Sequence, residues 1–140
     1  MDAFDADVLI YAAVPDHPLG RVVAALFPSG PLGVDDQPAG VGSVLLLPEV
    51  LSKPLRDGAM ANVAILTGLL SRLDLRPLDL ATAELAVTLG SAHRLRAADA
   101  AHLATAVAAG ADRFITNNRR DFPVSIDEIA VTYPDALPGA

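Results

Sequence analysis

ADAAHLATAVAAGADRFITNNRRDF, residues 98–122, places a helix and a strand in immediate succession. Ala97 to Ala109 carries Ala, Leu and Val at helical spacing and stops at Gly110, while Arg113 to Thr116 reads as a short buried strand. Working outward, the same alternation recurs. AFDADVLIYA, residues 3–12, opens with a strand over residues 2–5, and Val8 to Ala13 either prolongs it or begins a short helix. A turn at Pro15-Asp16 leads into a helix from His17 to Phe27, carrying Leu19, Val22, Val23 and Leu26 and stopped by Pro28, Gly30 and Pro31. Residues 28–42 read as a loop with room for a short strand near Leu32 to Val34. Ser43 is an N-cap for a helix through Leu45, Leu46, Leu47, Val50 and Leu51, in which Pro48 marks either a kink or the first turn. Residues 59–73 form an amphipathic helix, Leu75 to Leu78 a strand, Leu80 to Leu89 a helix ended by Gly90, and Ile129 to Tyr133 a last strand before a tail that frays from about residue 134. Strands separated by helices predict an α/β fold, a three-layer α/β/α sandwich with a mainly parallel central sheet.

Composition narrows the class. At 140 residues the chain suits one domain, spanning 1–140, and its 52% hydrophobic content, much of it Ala, Leu and Val, argues for a helix-rich interior. No apolar stretch is long enough for a membrane span, and an N-terminus with Asp2, Asp5 and Asp7 lacks the basic region of a signal peptide, so a cytoplasmic location is expected. The absence of cysteine excludes disulfides and thiolate zinc sites, leaving oxygen ligands and three histidines, His17, His93 and His102, at no ligand spacing. A net charge of −7 does not announce a nucleic-acid binder. Arg94 and Arg96 nevertheless precede Asp99, and Arg119 and Arg120 precede Asp121; they are either solvated surface residues or a local basic patch.

The acids stand at the edges of apolar segments. Asp5 ends the first strand, Asp99 lies in the first turn of its helix, and Asn117-Asn118 follow Thr116 at the end of another strand. Open parallel sheets gather ligand sites outside the carboxyl ends of their strands, which brings these residues together. Asp99 alone could be an acid favoured by the helix dipole, and Asp7 a turn or cap residue. Glu49 sits between Leu47-Pro48 and Val50-Leu51, so its carboxylate either has a partner or is turned outward by Pro48. His102, one turn after Asp99, reads as a packed helix histidine, and Thr116 could bond a phosphate or an acid. Converging like charges call for a cation, and oxygen donors suit a hard one such as Mg²⁺ or Mn²⁺.

FDADVLIYA (4–12), LPEVL (47–51) and residues 98–122 together resemble the PIN domain, most closely the VapC-type toxins of bacterial toxin–antitoxin pairs. The resemblance implies hydrolysis of RNA phosphodiester bonds with Mg²⁺ or Mn²⁺, and maps three of the family's acids onto Asp5, Glu49 and Asp99. For the fourth place it offers Asn118 or Asp121, since Asn118 stands where relatives often carry an Asp. Asp7, where many relatives have Asn, becomes a supporting residue. Arg119 and Arg120, with Thr116, are implied in holding the RNA, and a cognate antitoxin and a homodimer are implied as partners. Two other readings stay open: a PIN-like module that binds without cutting, and a haloacid-dehalogenase-type phosphatase, to which FDADVLI conforms but the order of Lys53 before Thr116 does not.

Overall fold

Asp2–Phe4 forms the first strand, β1, in a computed structural model that describes residues 1–28 and 36–140. Successive strand residues point to opposite faces, and β1 uses both, Ala3 entering one core cluster and Phe4 another. The strand β4, Arg113–Ile115, repeats the division, with Phe114 on the Ala3 side and Ile115 on the Phe4 side. Strands buried on both faces require cover on both. On the Phe4 side lie α1 (Ala6–Ala12), α2 (Pro18–Ala24), α3 (Leu46–Arg56) and α4 (Met60–Leu70), which bring Leu9, Val23, Leu46, Val50, Leu66 and Leu70. On the Ala3 side lie α5 (Leu80–His93) and α6 (Ala97–Ala108), with Leu89, Leu103 and Ala104. Burying one such large side chain contributes about 1.5–3 kcal/mol, against about 0–1 kcal/mol for an exposed ion pair, so these two clusters hold the layers together.

Among the described residues β2 (Gly40–Ser43), β3 (Leu73–Arg76) and β5 (Ala130–Thr132) complete a five-stranded sheet in the order β3-β2-β1-β4-β5, parallel at every junction. The architecture is the expected three-layer α/β/α sandwich. From β1 the chain steps outward to β2 and β3, then crosses back to β4 and β5 on the other side of β1. The order therefore reverses between β1 and β4, and the crevice outside their carboxyl ends is where such sheets place ligands. Among the described residues no helix is long and apolar enough to cross a membrane.

Several local expectations are corrected. The stretch 28–42 contains the start of β2, which turns strandwise pairing over to two glycines; the possible strand at 32–34 lies outside the described residues. Ser43 belongs to β2, not to a helix cap, although its hydroxyl accepts the Leu45 N–H at 3.1 Å. Pro48 falls in the first turn of α3, where its missing N–H is not needed. Leu73 leaves the fourth helix and starts β3, so that strand lies two residues earlier than its apolar pattern indicated. Gly90 does not stop α5, which runs to His93 and ends on Arg94 in the left-handed region (φ 55°, ψ 46°). A Cβ at Gly90 would lie 3.3 Å from the Cβ of Ala100, so this glycine lets α5 approach α6. The tail does not fray at 134: Pro134–Ala136 forms a 3₁₀ turn against α2, and buried Leu137 joins the Phe4-side core.

Gly40 is glycine for want of space. A Cβ there would stand 2.3 Å from the Asp2 carbonyl oxygen and 2.7 Å from Cε2 of Phe4. Gly40→Ala should therefore destabilise the fold by about 1–3 kcal/mol. Gly68→Ala, in α4 where an added Cβ meets nothing within 4 Å, should stabilise by up to about 1 kcal/mol. Urea unfolding measures both, and equal midpoints for the two variants would contradict the close approach of β2 to β1.

Candidate active site

Asp5 follows β1 directly and is the N-cap of α1, so one residue joins the sheet to the helix. Its N–H continues the parallel ladder to the Ile115 carbonyl at 3.0 Å. Its carboxylate accepts the Ala6 N–H on Oδ1 and the Thr116 hydroxyl on Oδ2, both at 2.8 Å. Only 5% of the residue is exposed. Burial pushes its proton affinity above the usual carboxylate range, against the Thr116 bond and His102, which pull it down. Thr116, expected to meet a phosphate or an acid, meets the acid; it is fully buried, and its oxygen also accepts the Asn118 N–H at 3.1 Å.

Asp7, two residues after Asp5, lies in the first turn of α1 beside the same crevice. Oδ2 accepts the Asn117 N–H at 3.0 Å, while Oδ1 is buried with no partner among the described residues. Burial, followed by the charge of Asp5, raises this carboxyl to about 7. Asp99, half-buried in the first turn of α6, takes no hydrogen bond among the described residues. Its affinity for a proton is raised by burial first, then by Asp5 and Asp121. Glu49 is less enclosed than its apolar neighbours indicated, because the helical advance puts it between buried Leu46 and Val50 at the rim, with 34% of its side chain exposed. Its charge is nevertheless felt by both Asp5 and Asp99.

Asn118 and Asp121, the two residues considered for the fourth place, are bonded to each other. The Asn118 amide donates to Asp121 Oδ2 at 3.0 Å, and its oxygen accepts the Asp121 N–H at 3.2 Å. Both amide atoms are thus engaged in holding Asp121, which is the member of the pair whose charge acts on Asp99. Arg119 is not turned to the acids: its guanidinium bonds Asp135 and lies 4.2 Å over the Tyr133 ring. Arg120, Arg94 and Arg96 are exposed and form no ion pair among the described residues.

His102 is the residue that sequence reasoning set aside. Buried in α6, it places Nε2 3.1 Å from Glu49 Oε1. Its spacing of three from Asp99 on a helix that also faces the sheet was the available signal.

Among the described residues no three Asp, Glu or His side chains stand close enough together to form a coordination shell. Asp5 is engaged by Thr116, Glu49 by His102 and Asp121 by Asn118. The chemistry of the set nonetheless fits a hard divalent cation: all donors are carboxylate oxygens, their charges raise the proton affinity of Asp5, Asp7 and Asp99, and one buried oxygen of Asp7 lacks a partner among the described residues.

No relative was found among curated proteins. Among solved structures, a chain of a toxin-antitoxin complex from Klebsiella pneumoniae shares the fold, with a TM-score of 0.72 and 23% identity over 96% of this chain and 98% of that one. The PIN domain family matches residues 3–125. That match takes in β2, β3, β4, all of β1 but its first residue and all the acids from Asp5 to Asp121, and the chain belongs to the PIN domain family.

Proposed function

We propose that the protein is a VapC-type toxin, an endoribonuclease that hydrolyses RNA phosphodiester bonds with Mg²⁺ or Mn²⁺ and is neutralised by a cognate antitoxin. The observation that carries this reading is the gathering of carboxylates at the reversal of the sheet, where Asp5, Asp7 and Asp99 are each raised above the ordinary carboxylate range by burial and by neighbouring acids, Glu49 and Asp121 among them. Isolated from a cation, such a group is held at a cost. Asp5 and Asp99 are the principal ligands, Asp5 locked in place by Thr116 and the Ala6 N–H. Glu49 ligates directly or through water, Asp121 orients the water or a second cation, and Asp7 adds negative charge beneath them. A divalent cation held there supplies positive charge against the phosphoryl oxygens and a more acidic water. Arg94, Arg96 and Arg120, exposed and beside Asp99 and Asp121 in the chain, are available to the RNA backbone.

The alternative, a PIN-like module that binds without cutting, draws support from the engagement of Asp5 by Thr116, Glu49 by His102 and Asp121 by Asn118. The buried oxygen of Asp7 that has no partner among the described residues favours the enzyme. Acting as one domain over residues 1–140, such an enzyme would work on cytoplasmic RNA. A protein partner finds support in the toxin-antitoxin complex that contains the structural relative. Exposed Leu55 and Met60 on or beside α3 and α4, and Leu80 and Val87 on α5, are 52–75% exposed and supply apolar area for an antitoxin and a second copy.

Purified protein should cleave a mixed RNA pool when Mn²⁺ is added, and Asp5→Asn and Asp99→Asn should each cut at least about 10²-fold more slowly, the cost of losing one electrostatic stabiliser. Equal rates in all three proteins would sink the nuclease reading. A second test uses pH. Because the folded Asp7 carboxyl is raised from 3.8 to about 7, its contribution to stability is full below about pH 3.8 and is lost as pH rises through about 7. Asp7→Asn cannot ionise, so in chelator its melting temperature should exceed the wild type's by several degrees more at pH 8 than at pH 4. A gap independent of pH would show that Asp7 titrates normally. Light scattering should give a dimer at micromolar concentration, and the product of the adjacent gene should co-purify and abolish cleavage; a monomer that ignores that product would contradict both partner proposals.

A further inference from the structure

Among the described residues the Glu49 side chain is held by one bond, and that bond comes from a histidine side chain that makes no other. The His102 side chain is 1% exposed, its Nε2 faces Glu49 Oε1 at 3.1 Å, and its Nδ1 is buried with no hydrogen-bond partner among the described residues. A carboxylate oxygen only accepts, so Nε2 carries the hydrogen between them. The ring thus makes polar contact in a single direction. A leucine would fill a similar volume beside Leu103 without burying an unpaired nitrogen, so packing alone does not account for a histidine here.

Glu49 also has an alternative that it does not take. Lys53 stands one turn further along α3, at the spacing where Glu and Lys pair on a helix surface, yet among the described residues they form no ion pair. Both line a cavity of about 320 Å³ between α3 and α4, with Ile10 and Leu66, so an outward-facing carboxylate has room. The bond to His102 turns it the other way, across to α6, where Asp99 lies one turn earlier on the same helix as His102. The groups that face this bond from neighbouring elements are Asp5, after β1, and Asp99.

We propose that His102 is a positioning residue: it keeps the Glu49 carboxylate over the Asp5–Asp99 crevice, so that a divalent cation meets this ligand already aimed. The proposal rests on the ligand role put forward for Glu49 above. His102 touches neither the cation nor the RNA. Outer hydrogen bonds of this kind orient metal ligands generally, and their loss costs about 10–100-fold in metal affinity.

Mn²⁺ titration followed by electron paramagnetic resonance of the free ion, with no RNA present, reads this directly. His102→Leu and His102→Asn, neither of which reaches Glu49 with a donor, should bind Mn²⁺ about tenfold more weakly or worse. His102→Gln, whose amide nitrogen reaches as far as Nε2, should restore most of the affinity. Placed on Glu49→Gln, His102→Leu should add no further loss, since the bond it removes no longer positions a ligand. Should the leucine variant not fold, asparagine supplies the same contrast with glutamine. Wild-type affinity in the leucine or asparagine variant beside a weakened Glu49→Gln would overturn the positioning role alone, as would losses that simply add. Wild-type affinity in Glu49→Gln would overturn the ligand role of Glu49 and the positioning role with it.

Discussion

Parallel pairing of β1 with β4 is the contact on which the crevice depends. It sets Phe4 opposite Ile115, and the next residues of each strand, Asp5 and Thr116, then meet side chain to side chain. Two forces fix that register. At the far end of the pair, Asp2 and Arg113 are matched residues and bond through two contacts, Arg113 Nε to Oδ1 at 2.8 Å and a terminal nitrogen to Oδ2 at 2.9 Å. Such a partly exposed pair contributes at most about 1 kcal/mol. The larger constraint is the alternation of faces. A slip of one residue in either strand would exchange Ala3 with Phe4, or Phe114 with Ile115, between the two cores, and each misplaced large side chain costs about 1.5–3 kcal/mol. The hydrophobic clusters therefore place the carboxylate, and the ion pair only reports the alignment.

Having placed the acids, the fold does little to quiet them. Thr116 and one backbone N–H favour the charged form of Asp5, but burial outweighs them, and Asp7 keeps a buried oxygen without a donor. Elsewhere the chain treats its carboxylates differently. Asp79, fully at the surface, caps α5 by accepting the Thr82 N–H at 2.8 Å, and its proton affinity falls. The contrast separates acids that serve the fold from acids that the fold tolerates, as expected where function is maintained against stability.

Much of this was legible in the chain, and the failures have physical causes. Asp5, Asp99 and Thr116 could be located because each adjoins a strongly patterned strand or helix, whose ends the alternation of apolar runs betrays. β2 could not, because Gly40 and Gly42 erase the β-branched signature that marks most strands; a Cβ on Gly40 would sit 2.3 Å from the Asp2 carbonyl oxygen, so crowding selects glycine where propensity would choose valine. The end of α5 was misplaced for a related reason, since Gly90 answers to Ala100 across a helix interface and not to the backbone of its own helix. Asn118 and His102 show a different limit. Both act by bonding another side chain, Asp121 in one case and Glu49 in the other, and a partner 53 residues distant, as Glu49 is from His102, leaves no local pattern.

The separation between Asp5 and Thr116 is larger still, at 111 residues. Contacts of such range form late in folding, because the intervening loop must close before they repay its entropy. A chain still emerging from the ribosome with β1, β2 and β3 made carries Asp5 and Glu49 but neither Asp99 nor the hydroxyl that anchors Asp5. Synthesis order thus withholds the assembled crevice until β4 arrives, and nascent fragments hold the acids without the arrangement.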